Sequence, residues 1–129
     1  MRSAALLVTA ALVFTAAADA QTPAPAIKRS ILQRFDLGTD REVVMAVAEI
    51  PPGMSAGRHT HPGPETSYVV EGSASLEIEG EVPRIVKAGD SFAIPAGKVH
   101  DAKVVGDKPV KVLATYIIEK GKPPLELVE

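Results

Sequence analysis

Apolar and polar residues alternate in short runs through most of this chain, and glycine or proline separates the runs. Leu76 and Ile78, for example, alternate with the polar residues Ser75, Glu77 and Glu79. A period of two is typical of β-strands, whose successive side chains point to opposite faces of a sheet. The pattern predicts strands over residues 42–50, 66–71, 73–79, 82–86, 91–94, 100–105 and 110–118.

The turns between these runs indicate an all-β barrel or sandwich with little helix. Pro51-Pro52-Gly53 ends the first predicted strand, and Gly72 marks a hairpin or a bend between two others. Short strands at frequent intervals, separated by glycine and proline, are typical of such folds. We expect Gly53, Gly72, Gly89 and Gly97 to need a positive φ or a close backbone approach.

The first twenty residues predict a secretory signal peptide. Arg2 is followed by an apolar run over residues 4–17, and Ala18-Asp19-Ala20 offers small residues for cleavage before Gln21. The apolar run is too short to span a bilayer comfortably. We therefore expect a bacterial protein that is periplasmic or secreted, without membrane attachment after cleavage.

The charge balance limits the kinds of partner that the chain can bind, and the absence of cysteine excludes disulfide bonds. The chain has 14 Lys+Arg, 16 Asp+Glu and no cysteine. Cleavage would remove Arg2 and Asp19, so the net charge of −2 would not change. This balance gives no basic surface for nucleic acid. Without disulfides, stability must come from packing and from bound metal.

The three histidines fall into two spaced patterns. The first runs Gly53, five residues, His59-Thr60-His61, three residues, Glu65, six residues, Gly72; the second runs Gly89, five residues, Pro95-Ala96-Gly97, two residues, His100. No histidine lies elsewhere in the chain. Imidazoles gathered around one cation explain this usage most simply.

These two patterns resemble the paired motifs of the cupin superfamily, in particular its small single-domain type-2 members. The resemblance covers about residues 40–118. It implies a double-stranded β-helix, also called a jelly-roll barrel, as a single module. The expected division is a signal peptide over 1–20, a lead-in and first strand over 21–39, the barrel over 40–118 and a tail over 119–129.

We expect His59, His61, Glu65 and His100 to bind one divalent transition metal. His59 and His61 would share a strand face, roughly 7 Å apart along the strand. We expect Glu65 to add an oxygen from the neighbouring strand and His100 to arrive from across the barrel. Three nitrogens and one oxygen leave one or two coordination positions open. The donors do not select among Fe, Mn, Cu, Ni and Zn.

Several neighbouring positions have plainer interpretations. The asparagine that commonly ends the second cupin motif is replaced by Val104, so the wall beside the metal should be apolar. Strand parity places Tyr68 on the face opposite Glu65, and places Asp101 away from His100, where we expect it to be solvated. Tyr116 shares an apolar strand face and is expected in the core. The tail is predicted to be exposed or to strap a partner subunit.

The resemblance implies several functions. The leading hypothesis is an exported metal-dependent oxidoreductase, similar to dioxygenases, that acts on a small oxygenated organic molecule, with Glu65 as general base. The alternatives are a non-catalytic periplasmic module that binds metal or a small molecule, and a metal-dependent lyase or decarboxylase. The fold alone does not choose among them.

Two expectations about the whole molecule can be checked directly. Export predicts a mature chain that begins at Gln21, which mass spectrometry of protein from the native host would show. The apolar residues Val43, Met45 and Val47, on the second face of their strand, predict a homodimer. A chain that still begins at Met1, or a monomeric mass by light scattering, would contradict the respective expectation.

Overall fold

The computed structural model describes residues 24–129, so the predicted signal peptide lies outside the described residues. Strands, turns and bends make up this part of the chain, and it includes no helix. It follows that none of residues 24–129 forms a helix able to cross a membrane. The all-β class predicted from the sequence is confirmed.

Ten strands follow one another along the described chain. They are β1 (Lys28–Leu37), β2 (Arg41–Ile50), β3 (His59–Thr60), β4 (Glu65–Glu71), β5 (Ser73–Ile78), β6 (Arg84–Lys87), β7 (Ser91–Ile94), β8 (His100–Val104), β9 (Val110–Glu119) and β10 (Glu126–Leu127). Each strand predicted from alternation is present, with ends that differ by at most two residues.

The strands form two five-stranded sheets that enclose the core. One sheet has the order β1-β2-β9-β4-β7 and the other β10-β3-β8-β5-β6. All pairings are antiparallel. Side chains from the two inner faces meet in a cluster of buried residues. Its members are Val69, Ala74, Leu76, Ile78, Val86, Phe92, Ile94, Val110 and Val112.

Gly72 is the point at which the chain passes from one sheet to the other. It lies between β4 and β5, which belong to different sheets, so the sequence marks a bend rather than a hairpin. The φ of Gly72 is 77°, and a Cβ there would collide with the carbonyl oxygen of Pro109. Gly53, Gly89 and Gly97 also have positive φ, as predicted.

The edge strand β1 contains a bulge that changes which residues face inward. Its register with β2 shifts between Ile31 and Gln33. Arg29 pairs with Ala48 before the shift, whereas Phe35 pairs with Val43 after it. Because paired residues share a face, the bulge directs Arg29 inward and Phe35 outward.

Several large apolar side chains of β1 are exposed on this single chain, among them Phe35, which is 57% exposed. Val43, Met45 and Val47 on the adjacent strand are half-buried. A second copy of the chain would cover these side chains. The homodimer stays a prediction, because the structure holds a single chain.

A close backbone contact ties the loop between β3 and β4 to β9. Gly63 is buried, and a Cβ at this position would collide with the carbonyl oxygen of Ile117. In the same loop, the Ile117 amide donates to the Pro64 carbonyl at 3.2 Å, and the Gly97 amide donates to the His61 carbonyl at 2.9 Å. Only glycine allows the loop to lie this close to β9.

Replacing Gly63 with alanine should therefore destabilise the protein. We expect Gly63→Ala to lower the free energy of unfolding of the metal-free protein by about 1–3 kcal/mol, because the new methyl group overpacks a backbone contact. Urea denaturation followed by circular dichroism measures the change. Pro64→Ala, at an exposed position of the same loop, is the matched control, and equal stability of the two variants would contradict this account.

Candidate metal centre

The structure brings all four predicted site residues together between the two sheets. His59 opens β3, His61 follows that strand, Glu65 opens β4 and His100 opens β8. One ring nitrogen from each of the three histidines lies within 4.8 Å of the other two. All four side chains are buried. The three histidines are thus placed to bind a metal ion.

The sheets that supply these residues differ from the expectation. His59 pairs directly with His100, so these two lie side by side in the same sheet. Glu65 comes from the opposite sheet, where it pairs with Tyr116 and Ile94. We expected the reverse arrangement, with Glu65 as the neighbour and His100 from across the barrel. That expectation was wrong because the loop over residues 61–65 crosses from one sheet to the other.

A main-chain carbonyl fixes the orientation of each imidazole. The Nδ1 atoms of His59, His61 and His100 lie 2.6, 2.6 and 2.9 Å from the carbonyl oxygens of Gly57, Pro124 and Lys98, respectively. A carbonyl oxygen only accepts, so each Nδ1 must carry the hydrogen and donate. The lone pair of a neutral ring then lies on Nε2, as in metal-ligating histidines oriented by a second hydrogen bond.

The Glu65 carboxylate is positioned through both of its oxygens. The Ser67 hydroxyl donates to Oε1 at 2.5 Å. Oε2 lies 2.8 Å from His61 Nε2 and 3.2 Å from His100 Nε2. Ser67 is two residues from Glu65 on the same strand, so both side chains point inward.

These distances fit a shared cation. Oε2 of Glu65 and Nε2 of His61 are buried, and neither has an aligned hydrogen-bond partner among residues 24–129 despite their 2.8 Å separation. Two ligand atoms about 2.1 Å from one metal, at right angles, would lie roughly 3 Å apart. The donor set of imidazole nitrogens and one carboxylate oxygen suits Fe, Mn, Cu, Ni or Zn.

Tyr116 lies directly beside this centre. It pairs with Glu65 across the β4–β9 ladder, and its ring centroid is 4.5 Å from that of His61. The sequence indicated a core residue, and the side chain is indeed largely enclosed. Its position next to the ligands also makes its phenol available to a molecule bound there.

Two adjoining cavities lead outward from the centre. An inner cavity of about 50 Å³ contacts His59, Glu65 and His100. An outer cavity of about 230 Å³ is walled mainly by aliphatic side chains of β1 and β2. Both are lined by Arg29, Ala48, Tyr116 and Leu125, so they adjoin, and we refer to the two together as the path. Arg29 is the one cationic side chain among the residues that line this path.

Burial and mutual contact perturb the ionisation of the centre. Burial, together with the neighbouring imidazoles, lowers the pKa of His59 to about 4. Burial alone would lower the pKa of His100, but Glu65 and the Lys98 carbonyl outweigh it and raise that pKa. Burial opposes ionisation of Glu65, yet His100, His61 and Ser67 outweigh it and hold its pKa well below its usual range. Both shifts favour the charged forms of Glu65 and His100, whose Oε2 and Nε2 atoms lie 3.2 Å apart.

The phenol of Tyr116 is affected in the opposite sense. Burial, and then the negative charge of Glu65, raise the pKa of Tyr116, while the positive charge of Arg29 opposes part of this rise. Tyr116 consequently remains protonated at neutral pH and can donate a hydrogen bond.

Neighbouring positions gave mixed outcomes. Tyr68 is 49% exposed, on the face opposite Glu65, as expected. Ala102 and Val104 pack against the buried cluster, so the wall on this side is apolar, as expected. Asp101 was expected to be solvated, which was wrong: it is 4% exposed, and its Oδ1 has no hydrogen-bond partner among the described residues. Strand parity alone therefore did not predict the burial of this carboxylate.

Sequence reasoning missed three contributors. Ser67 could have been found by strand parity with Glu65. Arg29 could not, because the β1 bulge decides which face it occupies. The Pro124 carbonyl could not have been found, because every residue has a main-chain carbonyl and the sequence does not show which one will accept a hydrogen bond.

The opposite perturbations of two rings predict a distinctive titration of the metal-free protein. We expect the pKa of His59 to be about 4 and the pKa of His100 to lie above its ordinary value of 6.5. NMR of the imidazole nitrogens as a function of pH measures both. Between pH 6.5 and 4 the unfolded chain takes up a proton at His59 that the folded chain does not, so this residue lowers the free energy of unfolding as pH falls. The contribution of His100 is present below pH 6.5 and is lost as pH rises through its folded pKa. Ordinary midpoints for both rings would contradict the geometry.

Comparison with known proteins is consistent with this centre. Residues 46–116 match the family model described as Cupin domain. Over 60 residues the chain is 37% identical to dimethylsulfoniopropionate lyase DddW of Ruegeria pomeroyi, covering 46% of this chain and 39% of the lyase. The chain therefore spans about two fifths of the length of that relative.

Solved structures show the same architecture. The DMSP lyase DddQ of Ruegeria pomeroyi superposes with a TM-score of 0.60 at 26% identity, covering 67% of this chain and 43% of that one. An oxalate oxidase superposes with a TM-score of 0.59 at 28% identity, covering 67% and 46%, respectively. The family match extends over more than half of the chain and includes all four residues of the centre. It does not include the tail, which orients His61. This chain, a double-stranded β-helix with three histidines placed to bind a metal ion, belongs to the cupin family.

Proposed function

We propose that this protein is a metal-dependent enzyme, with an oxidoreductase similar to dioxygenases as the leading candidate. The observation that carries the proposal is the inner cavity, which contacts His59, Glu65 and His100 directly. A metal held by these residues would be reachable from the cavity. Four protein ligands would leave one or two positions open on a metal that takes five or six ligands, and an open position distinguishes a catalytic metal site from a purely structural one.

The proposed ligands are His59, His61, Glu65 and His100. A metal bound there would supply Lewis acidity and, with Fe or Mn, the electrons for oxygen chemistry. We assign the general-base role to Glu65 because its carboxylate contacts the inner cavity, within reach of a molecule bound there. The protonated phenol of Tyr116 can donate a hydrogen bond to an oxygen of the same molecule.

The lining of the path favours a small oxygenated molecule that carries negative charge. Most of the walls are aliphatic, and the two cavities, of about 50 and 230 Å³, suit a small molecule. Arg29 extends into both cavities, and a guanidinium group pairs well with a carboxylate. The similarity to an oxalate oxidase at 28% identity supports an oxygen-dependent reaction on such a compound.

A metal-dependent lyase or decarboxylase is the second candidate, and Tyr116 is the observation that favours it. A proton donor and a proton acceptor face the same space, because Tyr116 and Glu65 pair across one ladder. Elimination and decarboxylation need Lewis acidity and proton transfer but no oxygen. The similarities to two DMSP lyases support this candidate. A non-catalytic binding module would use the same ligands and cavity without turnover.

Metal exchange separates these candidates. Metal-free protein is loaded in turn with Fe, Mn and Zn and supplied with small hydroxy acids, dicarboxylates, enediols and flavonols, together with the neutral amides of the acids. Oxygen uptake and substrate loss are both recorded. We expect oxygen uptake with Fe or Mn only, with acids preferred over their amides. His100→Ala should reduce turnover by more than about 100-fold, because it removes a ligand rather than a supporting contact.

Tyr68→Phe is the matched control, since Tyr68 lies on the outer face and should leave turnover unchanged. Substrate loss that continues with Zn and without oxygen uptake would replace the oxidoreductase with the lyase or decarboxylase. Saturable binding of metal and acid without substrate loss would contradict both enzymes and favour the binding module.

A further inference from the structure

The segment after β9 contacts the candidate metal centre through its backbone. The carbonyl oxygen of Pro124 accepts the hydrogen bond from His61 Nδ1 at 2.6 Å. Pro124 is 63 residues from His61 in sequence and lies beyond the matched cupin domain. This carbonyl decides which nitrogen of His61 carries the hydrogen and therefore which one can bind a metal.

The other two histidines are oriented locally. His59 donates to Gly57 and His100 donates to Lys98, in each case two residues earlier in the chain. A strand and the turn before it are enough to make these contacts. His61 is thus the one histidine of the three whose ring orientation depends on a distant segment.

The tail starts at residue 120, one residue later than predicted, because β9 extends to Glu119. Main-chain pairing docks it on the strand that carries His59. β10 pairs with β3, with Leu127 opposite His59 and Glu126 opposite Thr60. The Val128 amide also donates to the Arg58 carbonyl at 2.9 Å. The tail thus pairs with its own barrel in this single chain.

The docked tail also covers the path to the centre. Leu125 is half-buried and lines both the inner and the outer cavity, and Pro124 lines the outer one. Undocking would remove one wall of the path and the hydrogen-bond acceptor of His61 together. The same short segment thus contributes to both ligand geometry and access.

We propose that the tail is an integral part of the metal centre, in which the Pro124 carbonyl is the positioning group for His61 and Leu125 closes the cavity above it. This inference rests on the proposed metal site but not on the reaction that the site performs. It assigns a role to a segment in which the sequence indicated no function.

Truncation after Pro123 tests the proposal. We expect the truncated protein to bind Zn or Mn roughly 10- to 100-fold more weakly in competition with a chelator, the usual effect of losing a contact that orients a ligand. We also expect the nitrogen NMR signals of His61 in the metal-free protein to shift away from the form with hydrogen on Nδ1. His59 and His100 should keep that form, because their carbonyl partners remain.

Truncation after Val128 is the matched control, since it removes only the exposed Glu129 and keeps the hydrogen bond from Val128. If truncation after Pro123 prevents folding, a Gly-Ser-Gly insertion between Gly121 and Lys122 loosens the tail while keeping all of its residues; it disrupts only the turn contacts between Lys122 and Glu119. We expect this insertion to change metal affinity and the His61 signals in the same direction, by a smaller amount.

Unchanged affinity and an unchanged His61 form in the loosened or truncated protein would overturn the proposal. The NMR readout uses metal-free protein, so it is informative even if the full chain binds no metal. In that case a shifted His61 would retain the positioning role of the tail, while the proposed metal site and its function would fail separately.

Discussion

Four ionisable side chains are buried at the centre of an otherwise apolar barrel, and the rest of the structure depends on satisfying them. An isolated carboxylate in such a place would cost several kcal/mol, because it exchanges water for hydrocarbon. The Ser67 hydroxyl satisfies one carboxylate oxygen of Glu65, and a cation shared with the histidines would satisfy the other, which lies beside the Nε2 atoms of His61 and His100. The Nδ1 hydrogen of each imidazole needs an acceptor, which a main-chain carbonyl supplies. The hydrogen bonds of the centre therefore extend into two turns and the tail.

The same requirement explains why two glycines lie on the borders of the site. The ligands come from both sheets, so the chain must cross between sheets within a few residues of them. Gly63 allows one crossing loop to touch β9, and Gly72 allows the next bend to pass under Pro109. A side chain at either position would collide with the main chain of Ile117 or Pro109 and displace the crossing segment. The path of the chain between the sheets therefore bears directly on where Glu65 and His61 lie.

Much of this could be predicted from the sequence because it follows from local pattern. Alternation located the strands, and the spacing of His59, His61, Glu65 and His100 identified the cluster. Pairing partners are not local, which is why the sheet of Glu65 was assigned wrongly. Asp101 was expected to be solvated but is buried, because burial depends on what covers a residue in three dimensions and not on strand parity. Arg29 and Pro124 were not predicted. A bulge in β1 decides which face Arg29 occupies, and Pro124 acts through its main-chain carbonyl.

The pairing of β10 with β3 has a consequence for association between molecules. Without the tail, β3 would be the outermost strand of its sheet, and its free amide and carbonyl groups would lie beside the histidines. Exposed strand edges invite pairing with other chains, which leads to aggregation. A two-residue strand is long enough to occupy this edge but too short to offer much of a new one. The last strand thus protects the molecule at the place where its polar interior comes nearest to the surface.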